Sequence, residues 1–308
     1  MTSGEGEASE KRRLNLPFLA AGLLLTVIGL IGLSMVLSSA WYIISIVPLL
    51  AGVAALPIGA GLVTPRRAAA SVLRMMPGPV SRKIRSSLKP EIVTQDGLKW
   101  YVTRDLRYGY AISHDRYEHN LHEYFFRFMP PNGVFLDIGA GAGKYSVLLA
   151  SKGATVYAWE PNPYNLTVFR ENLKLNNLNV TIYEAALGEE DKEGKLHLSA
   201  LASMVTEGEG APISIRTLDS YGLEKADLVK IDTEGQEFPI LKGAAKTVQA
   251  CQPTLIVELH PHLVAGTRER CQALLDSWNY VYKDIGKTKS GNSEYLLAVP
   301  KARAAQLQ

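Results

Sequence analysis

The sequence predicts an α/β chain built on a doubly wound, mostly parallel sheet, preceded by an N-terminal transmembrane helical hairpin. Three observations carry this expectation. From Val134 onward, short apolar runs alternate with helical patterns, the signature of a parallel sheet covered on both faces. The first of those runs ends in a glycine-rich turn that opens a helix, FLDIGAGAGKYSVLLA. And from Leu14 to Pro65 there is no Asp, Glu, Lys, Arg or His.

That uncharged run is long enough for two crossings, since one needs about 20 apolar residues. Ser38, Ser39 and Ala40 divide it into spans at 16–37 and 41–63, with Trp41 and Tyr42 where an interfacial aromatic belt would sit and Pro48 and Pro57 inside the second span. A cleaved signal peptide is the competing reading of the first span, disfavoured by its length and by the second span that follows. Lys11, Arg12 and Arg13 precede the run and Arg66, Arg67 and Arg74 follow it. The positive-inside bias therefore predicts a multi-pass membrane protein with its N-terminus (1–13) and catalytic domain in the cytoplasm. Residues 66–89 form a basic juxtamembrane linker without an acid, suited either to anionic headgroups or simply to solvent.

Past Pro90 the pattern becomes that of an α/β domain. In IVTQDGLKWYVTRD, Asp96-Gly97 separates two β-prone runs and predicts a hairpin; RYEHNLHEYFFRFM follows as an amphipathic helix. Residues 90–133 are thus expected to cap the catalytic domain at 134–300, with a tail at 301–308. Within the domain, strands are expected at VFLDIG, ATVYAWE, VTIYEAAL, DLVKID, TLIVELH, YVYKDI and YLLAV. Helices are expected over 144–151, 164–175, 236–250 and 268–277.

The first turn narrows the ligand. Glycine supplies space and positive φ where backbone approaches a bound molecule. A dinucleotide fingerprint, however, would need glycine at 139, 141 and 144, and position 144 is lysine. Asp137, immediately before the turn, would repel a pyrophosphate and attract a cation. S-adenosylmethionine, with its ammonium and sulfonium, satisfies that charge. Glu160 ends the next strand, 23 residues on, where an acid that accepts from ribose hydroxyls belongs.

Taken in order, LDIGAGAGKYSVLLA, WEPNPYNLTVFRENLKLN, IRTLDSYG, LVKIDTEGQEFPILKGA and IVELHPH resemble the FkbM family of S-adenosylmethionine-dependent methyltransferases over roughly 134–300. The resemblance implies a Rossmann-like class I methyltransferase fold. It also implies O-methylation of a hydroxyl on a sugar, glycolipid or polyketide-like acceptor. The chain departs from the family's first motif at Gly141, commonly asparagine, and at Lys144, commonly aromatic or aliphatic.

The expected cofactor contacts are Asp137 toward the methionine ammonium, Gly139 and Gly141 beside the ligand, Glu160 at the ribose, Asn162 at the turn or the adenosine, and Ala185, beside Glu184, through its backbone at the adenine. Asp232 ends the fourth strand over the centre of the sheet, where a carboxylate can take a proton from an acceptor hydroxyl. Glu237 is expected to cap a helix or to pair with a base. Glu258 and His260 share parity on the fifth strand and so a face with each other; both join Asp232 as expected catalytic groups. No spacing singles out a metal, and none is expected. Given the hairpin, the sequence predicts a small-molecule or lipid-linked glycan acceptor at a membrane. The mild net charge of +3 argues against a nucleic-acid partner. Cys251 and Cys271 lie outside any CxxC or Cys/His spacing and are read as reduced structural thiols. Two alternatives remain at this point: a nicotinamide-dependent oxidoreductase on a similar sheet, and a membrane scaffold that binds S-adenosylmethionine without catalysis.

Overall fold

Four apolar runs of the sequence become parallel strands covered on both faces, so that most residues in them are buried, while a fifth, short parallel strand at the edge, Thr181–Tyr183, has none fully buried. The computed structural model describes residues 90–102, 119–197, 204–206, 208–288 and 291–308, all within the unit Leu88–Gln308. In chain order the elements are β1 (Glu91–Gln95), β2 (Leu98–Val102), α1 (His119–Phe128), β3 (Val134–Ile138), α2 (Lys144–Ala150), β4 (Thr155–Trp159), α3 (Pro163–Asn176) and β5 (Thr181–Tyr183). There follow β6 (Ala186–Leu187), β7 (Lys192–His197), β8 (Met204–Thr206), β9 (Ala211–Arg216) and β10 (Leu228–Ile231). The chain continues through α4 (Glu237–Gly243), α5 (Ala245–Cys251), β11 (Thr254–Leu259), α6 (Thr267–Ser277), β12 (Tyr280–Lys287) and β13 (Glu294–Pro300).

The main sheet runs β12-β13-β11-β10-β3-β4-β5. The pairs from β11 to β5 are parallel, and β13 inserts antiparallel between β11 and β12. Strand order reverses at β3, with β4 on one side and β10 on the other; such a switch point opens a crevice at the carboxyl ends of the strands. In register, Asp137 stands opposite Lys230 and Lys230 opposite Ile256. Because side chains alternate, Phe135, Leu228 and Ile256 share one face of the sheet and one apolar cluster, while Leu136, Ile138, Val229, Ile231, Leu255 and Val257 line the other. The first face turns polar at its carboxyl end: Asp137, Lys230, Asp232, Glu258 and His260 continue the same alternation.

The β1–β2 hairpin turns at Asp96 and Gly97, both with positive φ, as a two-residue hairpin loop requires. It sits on α3: Leu98, Trp100 and Val102 bury against Val147, Leu148 and Phe169. Asn172 and Asn176 use their side chains as surrogate strand partners, accepting from the N–H groups of Tyr101 (2.7 Å) and Lys99 (2.8 Å). In α1, Leu121, Phe125 and Phe128 form the buried stripe.

Two local expectations change. VTIYEAAL is not one strand: β5 closes the main sheet, while β6 starts a separate four-stranded sheet of order β6-β9-β7-β8. The helix expected over 236–250 breaks at Ala244 (φ −108°, ψ 5°). Gly243 packs so closely on the carbonyl of Gly188 that a Cβ there would lie 2.0 Å from it, and Asp219 accepts from the N–H groups of Lys246 and Thr247 to start α5 afresh.

The transmembrane hairpin is corrected. Residues 14–65, on which it was read, and the basic linker at 66–89 lie outside the described residues. Among the described residues no helix is long and apolar enough to cross a membrane. The longest, α3, has 14 residues, against about 20 for one crossing. Over the described residues the fold class is therefore the α/β sheet alone, with no membrane-spanning helix among them. The expectations of membrane anchoring, of the membrane as partner and of a multi-pass placement with a cytoplasmic catalytic domain are corrected to that extent: no described helix supports them.

Candidate active site

The glycine turn is held from three sides. Gly139, Gly141 and Gly143 all have positive φ (76°, 57° and 81°). A Cβ on Gly139 would lie 1.9 Å from the carbonyl oxygen of Asp232, and one on Gly143 2.0 Å from the Phe169 ring. Glycine is thus demanded by β10 on one side and by α3 on the other. The third support is Glu160, 4% exposed. Its carboxylate accepts from Gly141 N–H (2.7 Å), Asn162 N–H (2.8 Å) and the Asn165 amide (3.2 Å). Burial pushes the Glu160 carboxyl above its usual range, against the pull of the Asn162 and Gly141 N–H groups. Asn162 caps α3, accepting from Tyr164 N–H at 2.9 Å, and Asn172 donates to the Ala142 carbonyl.

Asp137 is 1% exposed. Its Oδ2 accepts from the Ser146 hydroxyl at 2.7 Å, and its Oδ1 lies 3.7 Å from Lys230 Nζ, without a hydrogen-bond partner of its own. Burial raises its carboxyl above the ordinary value; Lys230 and Ser146 oppose the rise. Lys230 also donates to the Gly139 carbonyl and to Asp232 Oδ2, both at 3.2 Å. One ammonium thus joins the acid before the glycine turn to the acid at the end of β10. Lys230 was not singled out from the sequence. Its signal was there: a cation inside the otherwise apolar strand LVKI, two residues before an acid and so on its face.

At the ends of β10 and β11, His260 stands among carboxylates. Its Nδ1 lies 2.9 Å from Glu237 Oε1, which also accepts from Gly235 N–H. Its Nε2 lies 3.5 Å from Glu258, 3.6 Å from Glu234 and 4.0 Å from Asp232. Burial works to lower the His260 pKa, but its bonds to Glu237 and Glu258 and the charge of Asp232 outweigh it and push it up to about 11. Glu234, at the positive φ of 53°, is raised by burial, with Asp232 and Glu237 adding to the rise and His260 opposing it. One ligand atom from each of Asp232, Glu258 and His260 lies within 4.8 Å of the others, a set able to hold a metal ion.

Ala185 is buried between β5 and β6, and Glu184 pairs with Arg170 on the surface. Lys144, which breaks the dinucleotide spacing, opens α2 as a buried residue with its ammonium 5.0 Å from the Tyr145 ring. The glycine cradle and the orphaned Asp137 Oδ1 are the features that a cationic adenosyl cofactor calls for, so the residues present fit S-adenosylmethionine.

Residues 137–282 match the model of the methyltransferase FkbM domain. Among curated proteins, the chain is similar to hexuronic acid methyltransferase AglP of Haloferax volcanii, 28% identical over 138 residues, 41% of this chain and 56% of that protein. It is similar also to methyltransferase 1 of Beauveria bassiana, 23% identical over 147 residues, 37% of this chain and 59% of that one. The chain thus spans less than two thirds of the length of these relatives. Among solved structures, methyltransferase FkbM of Methylobacillus flagellatus aligns at a TM-score of 0.45 and 18% identity, over 79% of this chain and 65% of that one.

Proposed function

The chain belongs to the FkbM-like class I methyltransferase superfamily, whose methyl donor is S-adenosylmethionine, and from that premise we propose that it methylates a hydroxyl of a sugar or glycan acceptor. The observation that carries this reading is the contact between donor turn and acid cluster. The Asp232 carbonyl lies where a Gly139 side chain would begin, and Lys230 ties the Asp232 carboxylate to Asp137. An acceptor held by Asp232 would therefore stand beside the donor, as an in-line displacement needs.

When bound, S-adenosylmethionine supplies a methyl group on a sulfonium, whose sulfur leaves as a neutral thioether. This chain's residues do the rest. Asp137 and the glycine turn hold the donor, Asp137 through the oxygen left without a hydrogen bond. Asp232 takes the proton from the acceptor hydroxyl as the oxygen–carbon bond forms, a role worth on the order of 10²–10⁴ in rate. His260, with Nδ1 on Glu237 and Nε2 facing Asp232, Glu234 and Glu258, serves as the partner that holds these carboxylates together, which leaves Asp232 as the base. Glu160 and Asn162 hold the turn in shape, and a carboxylate's remaining lone pair is still open to a ribose hydroxyl. A sugar acceptor is favoured by the likeness to the hexuronic acid methyltransferase of Haloferax and by a cluster of acids suited to polyhydroxylated molecules.

The test is transfer of a labelled methyl group from S-adenosylmethionine to a panel of uronic acids, neutral sugars and their glycosides, followed by location of the methylated oxygen. Asp232→Asn should bind S-adenosylhomocysteine as the parent does and lose about 10²–10⁴ in kcat. Methylation of nitrogen or carbon in place of a hydroxyl, or an undiminished kcat in Asp232→Asn, would sink the reading.

A further inference from the structure

The ion pairs that meet at His260 and Lys230 join five carboxylates, those of Asp137, Asp232, Glu234, Glu237 and Glu258, to two cations. Of these acids Asp137 and Glu237 are 1% and 0% exposed and Glu258 7%. Excess negative charge at such depth is costly unless another cation joins it. A second observation points the same way: Glu237 Oε2 is a buried acceptor without a hydrogen-bond partner, although its other oxygen is already engaged.

We propose that Asp232, Glu258 and His260 bind one divalent cation at the carboxyl ends of β10 and β11. The ligand atoms all lie within 4.8 Å of one another, the span of a shell with bonds of about 2.1–2.5 Å. The imidazole is already set for the task. Glu237 holds Nδ1, which leaves Nε2 toward Asp232, Glu234 and Glu258. A carboxylate behind the far nitrogen is the usual way a metal-ligating histidine is oriented. The ion takes the place of the imidazole proton among the carboxylates. Two carboxylates and one imidazole favour a six-coordinate, oxygen-preferring ion such as Mn²⁺ or Mg²⁺ over a closed tetrahedral zinc site. Three ligands leave positions open.

Resting on the methyl-transfer reading, those open positions define the acceptor: a hydroxyl with a second oxygen on the neighbouring carbon, as in a vicinal diol or a hydroxy acid, which the ion can chelate. Bound to the ion, the hydroxyl loses its proton more readily, and Asp232 stands ready to receive it.

The experiment uses the full chain, stripped with a chelator and titrated with Mn²⁺ while the electron paramagnetic resonance signal of the free ion is followed. S-adenosylhomocysteine is titrated in parallel by calorimetry. The expected result is one equivalent of Mn²⁺, bound at least tenfold more weakly by Glu258→Gln and by His260→Asn, with Glu184→Gln unchanged. Spin-echo modulation from an imidazole nitrogen should appear in the parent protein, a readout that does not depend on the variants folding. If S-adenosylhomocysteine binds and Mn²⁺ does not, or if Mn²⁺ binds without nitrogen modulation and equally well in both variants, the cation site is overturned while the methyltransferase reading stands. Site-specific Mn²⁺ binding without any S-adenosylhomocysteine binding upholds the ion and overturns the donor.

Discussion

The two halves of the site use the same residue type at equivalent places and to opposite ends. Asp137 and Glu160 end β3 and β4, and Asp232 and Glu258 end β10 and β11. Glu160 receives two backbone N–H groups and an amide, and Asp137 a hydroxyl. These protein donors make Glu160 a scaffold for the glycine turn, while Asp137 keeps one oxygen without a hydrogen bond. The acids of the second half, Asp232, Glu234, Glu237 and Glu258, converge on one imidazole, and Asp232 also meets Lys230. A carboxylate filled by backbone donors builds a loop; one left to other charged groups is available for chemistry. The donor count around each acid separates the roles better than its position at a strand end.

The largest effect should come from Gly139→Ala. A Cβ at 1.9 Å from the Asp232 carbonyl cannot be relieved by side-chain motion, and the positive φ adds its own strain. We expect a loss above about 4 kcal/mol in urea unfolding, together with loss of S-adenosylhomocysteine binding. A variant that keeps its melting temperature would show that the two halves do not touch there.

Second in size is Lys230→Met, which removes the cation common to both halves and leaves the buried Asp137 and the partly buried Asp232 carboxylates without it. Breaking a buried pair this way costs about 3–5 kcal/mol. Adding Asp137→Asn or Asp232→Asn in turn asks which half depends on the lysine more. The partner whose neutralisation restores more stability is the one the ammonium chiefly serves. If neither restores any, Lys230 is not the bridge.

What the sequence made legible follows from how local each feature is. The strand–turn–helix at 135–150 is contiguous, so its glycines and Asp137 stand out in a single window. Lys230 does not, because Asp137 and the Gly139 carbonyl, which it meets, lie about ninety residues earlier in the chain, and a lysine within LVKI looks like an interruption of an apolar strand. For Glu160, the expectation of a ribose contact did not include the two backbone N–H groups that it also accepts from, since neither belongs to a recognisable pattern. The small sheet escaped for a related reason. Its strands KEGKLH and APISIR carry charges, glycine and proline, and only their pairing with each other identifies them. The break at Ala244 is set by contact with Gly188, more than fifty residues away.

The smallest expected effect tests the scaffolding half alone. Glu160→Gln keeps the shape but offers an amide N–H₂ to one of two backbone N–H groups, so it should cost about 1–3 kcal/mol. The sign of its pH dependence follows from burial, which raises the carboxyl above the ordinary value of 4.5. An acid with a raised folded pKa binds its proton more tightly folded than unfolded. Its contribution to stability is therefore greatest below pH 4.5 and declines as the pH climbs from there through the folded value. The glutamine variant lacks that decline. The gap in melting temperature between parent and Glu160→Gln should then be widest in acid and narrow toward neutral pH. A gap that widens with pH would mean that the N–H groups of Gly141 and Asn162 outweigh burial, and that Glu160 holds the turn more strongly as an anion than its surroundings imply.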